Sequence, residues 1–77
     1  MITAYLLIMV ESGAERNVVE ELLEQDGIAD ADIVYGEYDI LAKIILDDVS
    51  QLGDFVLEKI RSINGVNRTS TLIVSGE

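Results

Sequence analysis

Cysteine and histidine are both missing from this chain, and only 5 of its 77 residues are lysine or arginine. Without cysteine there is no disulfide and no thiolate metal site to add stability. Without histidine the commonest general base and the commonest metal ligand are gone, so neither a serine–histidine triad nor a thiolate nucleophile can be assembled in the usual form. No cofactor is implied, and the chain does not read as an enzyme. The few bases stand against 15 acids and leave a formal charge of −10. Such a surface repels phosphate, which argues against direct binding of nucleic acid, and it does not suit an anionic membrane. The plainer account of the acidity is solubility. Long hydrophobic runs are absent too. The opening run Ile2–Val10 has nine residues, too few to span a bilayer, and no Lys or Arg precedes it as a signal peptide would require. A cytoplasmic location is expected.

What is present is a high apolar content, 49% of the residues, in a chain of single-domain size (residues 1–77). A chain this short buries only about 60–65% of its unfolded surface, which leaves a thin margin of stability. With disulfides and thiolate metal sites excluded, oligomerisation is the remaining route to a larger core.

Ile2–Val10 is apolar at both parities, with Ile2, Ala4, Leu6 and Ile8 on one side and Tyr5, Leu7 and Met9 on the other. A strand covered on one face alternates, so this one reads as a central strand covered on both. Ser12-Gly13-Ala14-Glu15 fits a capping box. It opens a helix to about Gln25, with Ala14, Val18, Val19, Leu22 and Leu23 facing the core and Arg16, Glu20, Glu21 and Glu24 solvated. Asp26-Gly27 ends it, with glycine as the left-handed cap. Strands are expected over Ile28–Tyr35 and Tyr38–Leu46. Asp48 and Gln51 resemble a second capping box, opening a helix with Val49, Leu52, Val56, Ile60 and Ile63 inward. Gly53 inside it costs about 1 kcal/mol against alanine, so either close packing compensates or it is a tolerated defect. Asn64-Gly65 ends that helix, and Val66–Val74 is the last strand.

Helix, Asp26-Gly27-Ile28, strand recurs as helix, Asn64-Gly65-Val66, strand, with the glycines 38 positions apart. Two β-α-β units joined by a hairpin make the ferredoxin-like βαββαβ plan, an α+β fold with both helices on one face of a four-stranded antiparallel sheet. The other face, bearing Asp39, Leu41, Ile45 and one parity of the first strand, has nothing in the chain to cover it. A bare apolar face needs a partner, and a second copy packed sheet to sheet about a two-fold axis is the simplest.

The hairpin itself is Tyr35-Gly36-Glu37-Tyr38-Asp39. A Gly36-Glu37 loop sets Tyr35 opposite Tyr38 and Val34 opposite Asp39. Ile33, Tyr35, Tyr38, Ile40, Ala42 and Ile44 then share one face, and Asp32, Val34, Asp39, Leu41, Lys43 and Ile45 the other. Glu37 and Asp39 are close enough in sequence to act as a carboxylate pair, but a polar hairpin tip accounts for them more simply. Asp47-Asp48 could hold a divalent cation, though helix capping explains the pair better. In the last strand, Thr69-Ser70-Thr71 either lines an edge or pocket or reflects the strand preference of threonine.

The hairpin from Ile33 to Lys43, together with Ile60-Arg61-Ser62-Ile63-Asn64-Gly65-Val66-Asn67-Arg68-Thr69-Ser70-Thr71, resembles the effector-binding domain of the Lrp/AsnC family, also called the domain for regulation of amino acid metabolism. The similarity runs from Ala4 to Val74. It implies a ferredoxin-like domain that dimerises through its sheet, with dimers joining into rings, an octamer being the expected size. It implies an amino acid effector bound where dimers meet. That site maps onto Tyr35, Gly36, Glu37, Tyr38 and Asp39 and onto Thr69, Ser70 and Thr71 of a neighbouring strand. An α-carboxylate would meet turn amides near Gly36 and threonine hydroxyls, and an α-ammonium would pair with Asp39. Typical members carry an N-terminal helix-turn-helix domain, whereas this chain begins at the first strand, so it resembles the stand-alone form. Co-assembly with full-length Lrp/AsnC regulators is the implied partnership. Two other classes remain open, a pure assembly module and, further off, an enzyme of the dimeric α+β-barrel type.

Overall fold

In a computed structural model that describes residues 1–75, the chain runs β1 (Ile2–Val10), α1 (Glu15–Leu23), β2 (Ile28–Ile33), β3 (Ile40–Leu46), a second helical segment and β4 (Val66–Ile73). The four strands form one antiparallel sheet in the order β2-β3-β1-β4, so β1 is internal, paired with β3 on one side and β4 on the other. This is the βαββαβ plan that the repeated glycine turns predict.

One face of the sheet is buried and the other is not. Ala4, Leu6 and Ile8 of β1 and Ile40, Ala42 and Ile44 of β3 are fully buried against Val18 and Leu22 of α1, Leu52 and Ile60 of the second helical segment and Ile63 of the turn after it. No buried residue is polar or charged among the described residues. Tyr5, Leu7 and Met9 of β1 and Leu41, Lys43 and Ile45 of β3 point the other way and are half-buried by their neighbours alone. Within this chain, then, β1 is covered on one face, not on both. Its second apolar parity is the uncovered surface.

α1 begins without the expected capping box. The Ser12 hydroxyl joins none of the side-chain hydrogen bonds among the described residues, and Glu15 reaches back to the Gly13 amide at 3.0 Å instead of to Ser12. A turn takes the cap's place, closed by the Ala14 N–H donating to the Glu11 carbonyl at 2.9 Å. The helix stops at Leu23, and Leu23 faces solvent at 53% exposure, leaving Val18 and Leu22 as its buried pair. The second capping box does form. Gln51 Oε1 accepts from the Asp48 N–H at 3.1 Å, and Asp48 accepts from the Ser50 N–H at 3.4 Å and from its hydroxyl at 3.1 Å. That occupies Asp48 in capping. Val49 nonetheless stays half exposed instead of joining the core.

The second helical segment is not one regular helix. A 3₁₀ turn (Val49–Gln51) leads into α2 (Leu52–Phe55), which widens into a π turn (Val56–Ile60). The Arg61 N–H donates to the Val56 carbonyl at 2.9 Å, five residues back. An ordinary turn would have satisfied the Glu58 carbonyl from the Ser62 amide. Here the Ser62 hydroxyl donates to it, at 2.7 Å.

Gly27 and Gly65 repeat structurally as they do in sequence, although neither caps a helix directly. Each is the third residue of a turn, closed by Ile28 N–H to Gln25 carbonyl and by Val66 N–H to Ile63 carbonyl, both at 3.2 Å, with φ of +103° and +99°. At Gly65 an added Cβ would also lie 2.9 Å from the Ala14 Cβ, so both backbone and space exclude a side chain. Gly53 is the opposite case. An added Cβ there meets nothing within 4 Å and its φ is ordinary, so of the two accounts it is the tolerated defect. The same substitution therefore has opposite signs at the two sites. Gly53→Ala is expected to raise unfolding stability by about 0.5–1 kcal/mol, and Gly65→Ala to lower it by about 2 kcal/mol or more, both read from urea midpoints.

Candidate functional site

The polar residues of interest gather at the end of the sheet where β2 turns into β3. The pairing expected there is present, since Ile33 lies opposite Ile40 and the Val34 N–H donates to the Asp39 carbonyl at 2.8 Å. The ladder then stops. No main-chain hydrogen bond joins Tyr35 to Tyr38, so the strands are shorter than expected and the loop is wider, with Gly36 at φ +134° and Tyr35 fully exposed.

The early end of β3 decides where Asp39 goes. Ile8 and Val10 have the same parity on β1, so both direct their amide and carbonyl towards β3. The Ile8 carbonyl accepts from the Asp39 N–H at 2.9 Å, but β3 has no residue in strand geometry to meet Val10. Asp39 Oδ2 takes that role, accepting from the Val10 N–H at 2.9 Å. On the other side of β1 the Glu11 N–H donates to the Gly65 carbonyl at 2.8 Å. Asp39 is thus a side-chain extension of the ladder.

This corrects the alternation expected of the hairpin. Asp39 does not stand on the open face, because it lies across the strand end. With Tyr35, Ile33 and Val34 it lines a notch of about 420 Å³ that is also lined by Gly13 and by Glu15 and Arg16 of the first turn of α1. Tyr38, expected on the helix side, lies instead with Glu37 beside Met9 and Arg68 of the open face, around a hollow of about 350 Å³. Strict alternation holds only within the paired strands, whose register ends at Ile33 and Ile40.

The threonine cluster divides as a strand should. Thr69 and Thr71 face the helices, where they line a groove of about 550 Å³ with Gly53, Leu57 and Arg61, while Ser70 pairs with Leu7 and shares its open face. Within one protomer the hairpin residues and Thr69 and Thr71 therefore line separate hollows. β1 separates them, with Ile8 paired to Ile40 on one side and to Thr69 on the other.

Sequence reading gives none of Arg16, Arg61 and Arg68 a place in the site, although all three line hollows. Arg16 sits on the polar face of α1 among glutamates and looked like solvated surface. Its being the lone base of that helix was the available signal. No cluster of three or more acid, cysteine or histidine side chains able to hold a metal occurs among the described residues. No helix among them is long and apolar enough to cross a membrane.

The family model described as the Lrp/AsnC ligand binding domain matches residues 3–77. An uncharacterised HTH-type transcriptional regulator of Pyrococcus furiosus is 34% identical over 74 residues, covering 92% of this chain and 49% of the relative. The chain spans about half the length of the curated relatives it matches. Among solved structures, the hypothetical protein PHS023 of Pyrococcus horikoshii is 40% identical with a TM-score of 0.91, over 100% of this chain and 93% of that one. TTHA0845 of Thermus thermophilus is 36% identical with a TM-score of 0.94, over 100% and 96%. A transcriptional regulator of Neisseria meningitidis, solved as its L-Met complex, shares the fold at 19% identity and a TM-score of 0.87, over 99% of this chain and 51% of that one.

If Asp39 completes the ladder, removing its acceptor and removing its charge are separable. Asp39→Ala orphans the Val10 amide and is expected to cost about 1–2 kcal/mol. Asp39→Asn keeps an oxygen there and is expected to cost about 0.5 kcal/mol or less. Urea unfolding of the two variants beside the parent measures the difference.

Proposed function

This chain belongs to the Lrp/AsnC family, and from that premise we propose that residues 1–77 form one effector-binding domain, a self-associating regulatory module that takes an amino acid at the hairpin end of its sheet. Two surfaces carry this reading. The uncovered face, with Tyr5, Leu7, Met9, Leu41 and Ile45, is the apolar counterpart of the helix-covered one and suits a second copy packed against it. The hairpin end, with Tyr35 to Asp39, is the polar counterpart. It offers the carboxylate and turn amides that a zwitterion needs.

In this reading the effector site is shared. Tyr35, Gly36, Glu37, Tyr38 and Asp39 come from one subunit, and Thr69, Ser70 and Thr71 from another, in a ring of dimers. The L-Met bound by the Neisseria meningitidis regulator supports an amino acid as the ligand class, as does the family's description as a ligand-binding domain. The chain's curated relatives are transcriptional regulators, which supports regulation over catalysis, and co-assembly with relatives that carry a DNA-binding domain is the route by which a module this acidic would act on transcription.

One observation favours a second reading, that of an assembly module without a ligand. Asp39 already has a structural task in the bond to Val10, and a polar hairpin tip serves subunit contacts as readily as it serves an effector.

Thermal-shift titration against the standard amino acids at millimolar concentration separates the two. A binder at a hundred times its dissociation constant adds about 2.7 kcal/mol to the folded state, and no shift with any of them rejects the effector reading. Light scattering tests the assembly. The parent is expected to be a dimer or larger, and Leu7→Glu on the open face is expected to reduce the mass towards the monomer, because a buried charge opposite its own symmetry copy is doubly unfavourable.

A further inference from the structure

All four charged residues of the strands lie on the face of the sheet turned away from the helices. The pairing register puts Asp30 opposite Lys43, Asp32 opposite Leu41 and Arg68 opposite Met9, each on the open parity. Two acids and two bases leave the strands of that face neutral, so the whole formal charge of −10 is carried elsewhere in the chain. Two copies this acidic repel each other, and the repulsion is least where each presents no net charge.

The four charges are not spread evenly. Asp30 and Lys43 stand directly opposite each other on β2 and β3 and offset one another within the protomer. Asp32 is left on the β2 margin and Arg68 on the β4 margin. Both are exposed, and neither joins a side-chain hydrogen bond among the described residues. β3 and β1 lie between them, and three strand spacings of about 4.8 Å keep them about 14 Å apart across the sheet. Glu37 of the hairpin lines the 350 Å³ hollow with Arg68, but no hydrogen bond joins the two. Between the margins the face is apolar, with Leu41 and Leu7 in the row that ends at Ser70.

A two-fold axis that stacks one open face on another lies in the plane between the sheets, and aligned packing leaves it two directions, across the strands or along them. Across the strands, each strand lies over its own copy. Asp30 and Asp32 then meet the same two acids, and Arg68 finds no acid on the facing β4. Along the strands, the order β2-β3-β1-β4 is reversed in the second copy, so that β2 lies over β4. Asp32 is then level with Ser70 of the second copy and diagonal to Arg68 of that copy. We propose that this face takes a second copy of the chain in the latter arrangement, with Asp32 of each copy paired to Arg68 of the other. This rests on the sheet-to-sheet dimer read above and deepens it. Margins of opposite charge fix the direction of the axis and reject a partner whose margins do not match.

Sedimentation equilibrium of the full chain tests the pairing. Arg68→Asp and Asp32→Arg are each expected to raise the dimer dissociation constant about 10- to 100-fold, since each change turns both symmetry-related pairs into like charges. An equimolar mixture of the two single variants should dimerise again, and so should the chain carrying both changes, because each restores two pairs of opposite charge. Recovery also shows that neither single variant lost affinity by misfolding. Single variants that dimerise like wild type overturn the pairing. So do single variants that stay weak when mixed, which is the outcome if Arg68 serves only Glu37 of its own protomer. Either result leaves the sheet-to-sheet reading standing if Leu7→Glu still dissociates the dimer, whereas a wild type that is monomeric at every concentration overturns both.

Discussion

Everything in this fold is arranged around the burial of one parity of β1. Ala4, Leu6 and Ile8 are the centre of the core, and both neighbouring strands and both helical segments are placed so as to remove them from water. With two helical segments on one face and a four-stranded sheet beneath, no element among the described residues covers the other parity. Tyr5, Leu7 and Met9 are therefore partly shielded by neighbouring side chains and otherwise bare. The small size of the chain makes this consequential, since apolar surface left in water is stabilisation that a core this small lacks. The uncovered face and the thin core are one problem, and the self-association proposed above would answer both.

The end of the sheet follows a second constraint, the need to satisfy main-chain groups where a strand runs past its partner. β1 extends beyond β3, and Asp39 supplies the acceptor that β3 does not. This single bond spans 29 residues of sequence and turns the carboxylate away from the open face and along the strand end, into view of the first turn of α1. A residue with a structural duty is thereby also given a chemical opportunity, because a carboxylate has two oxygens and the ladder uses one. The opposite demand is visible in the second helical segment. There the π turn and an unsupported glycine both fall beside the groove lined by Arg61, Thr69 and Thr71, and the Ser62 hydroxyl satisfies a carbonyl that the wider turn releases.

The sequence by itself determined the fold class, the order of elements, the internal position of β1 and the Asp48 cap, because each is dictated by local signals. Those signals are hydrophobic parity, short-range turn chemistry and a glycine turn repeated at two equivalent places. It was less informative wherever two local solutions compete. Ser12 and Glu15 match a capping box, yet the turn from Glu11 to Ala14 satisfies the same chain reversal, and Glu15 bonds one residue away from its expected partner. Only tertiary structure decided the placement of Asp39 and Tyr38. Alternation predicts a side chain's face only while strand pairing continues, and where it ends depends on how far β1 outruns β3, which no window of sequence contains. The same holds for Arg16 and Asp39. They lie in separate elements, 23 positions apart in the chain, and line one notch only because α1 begins at the end of the sheet where the hairpin lies.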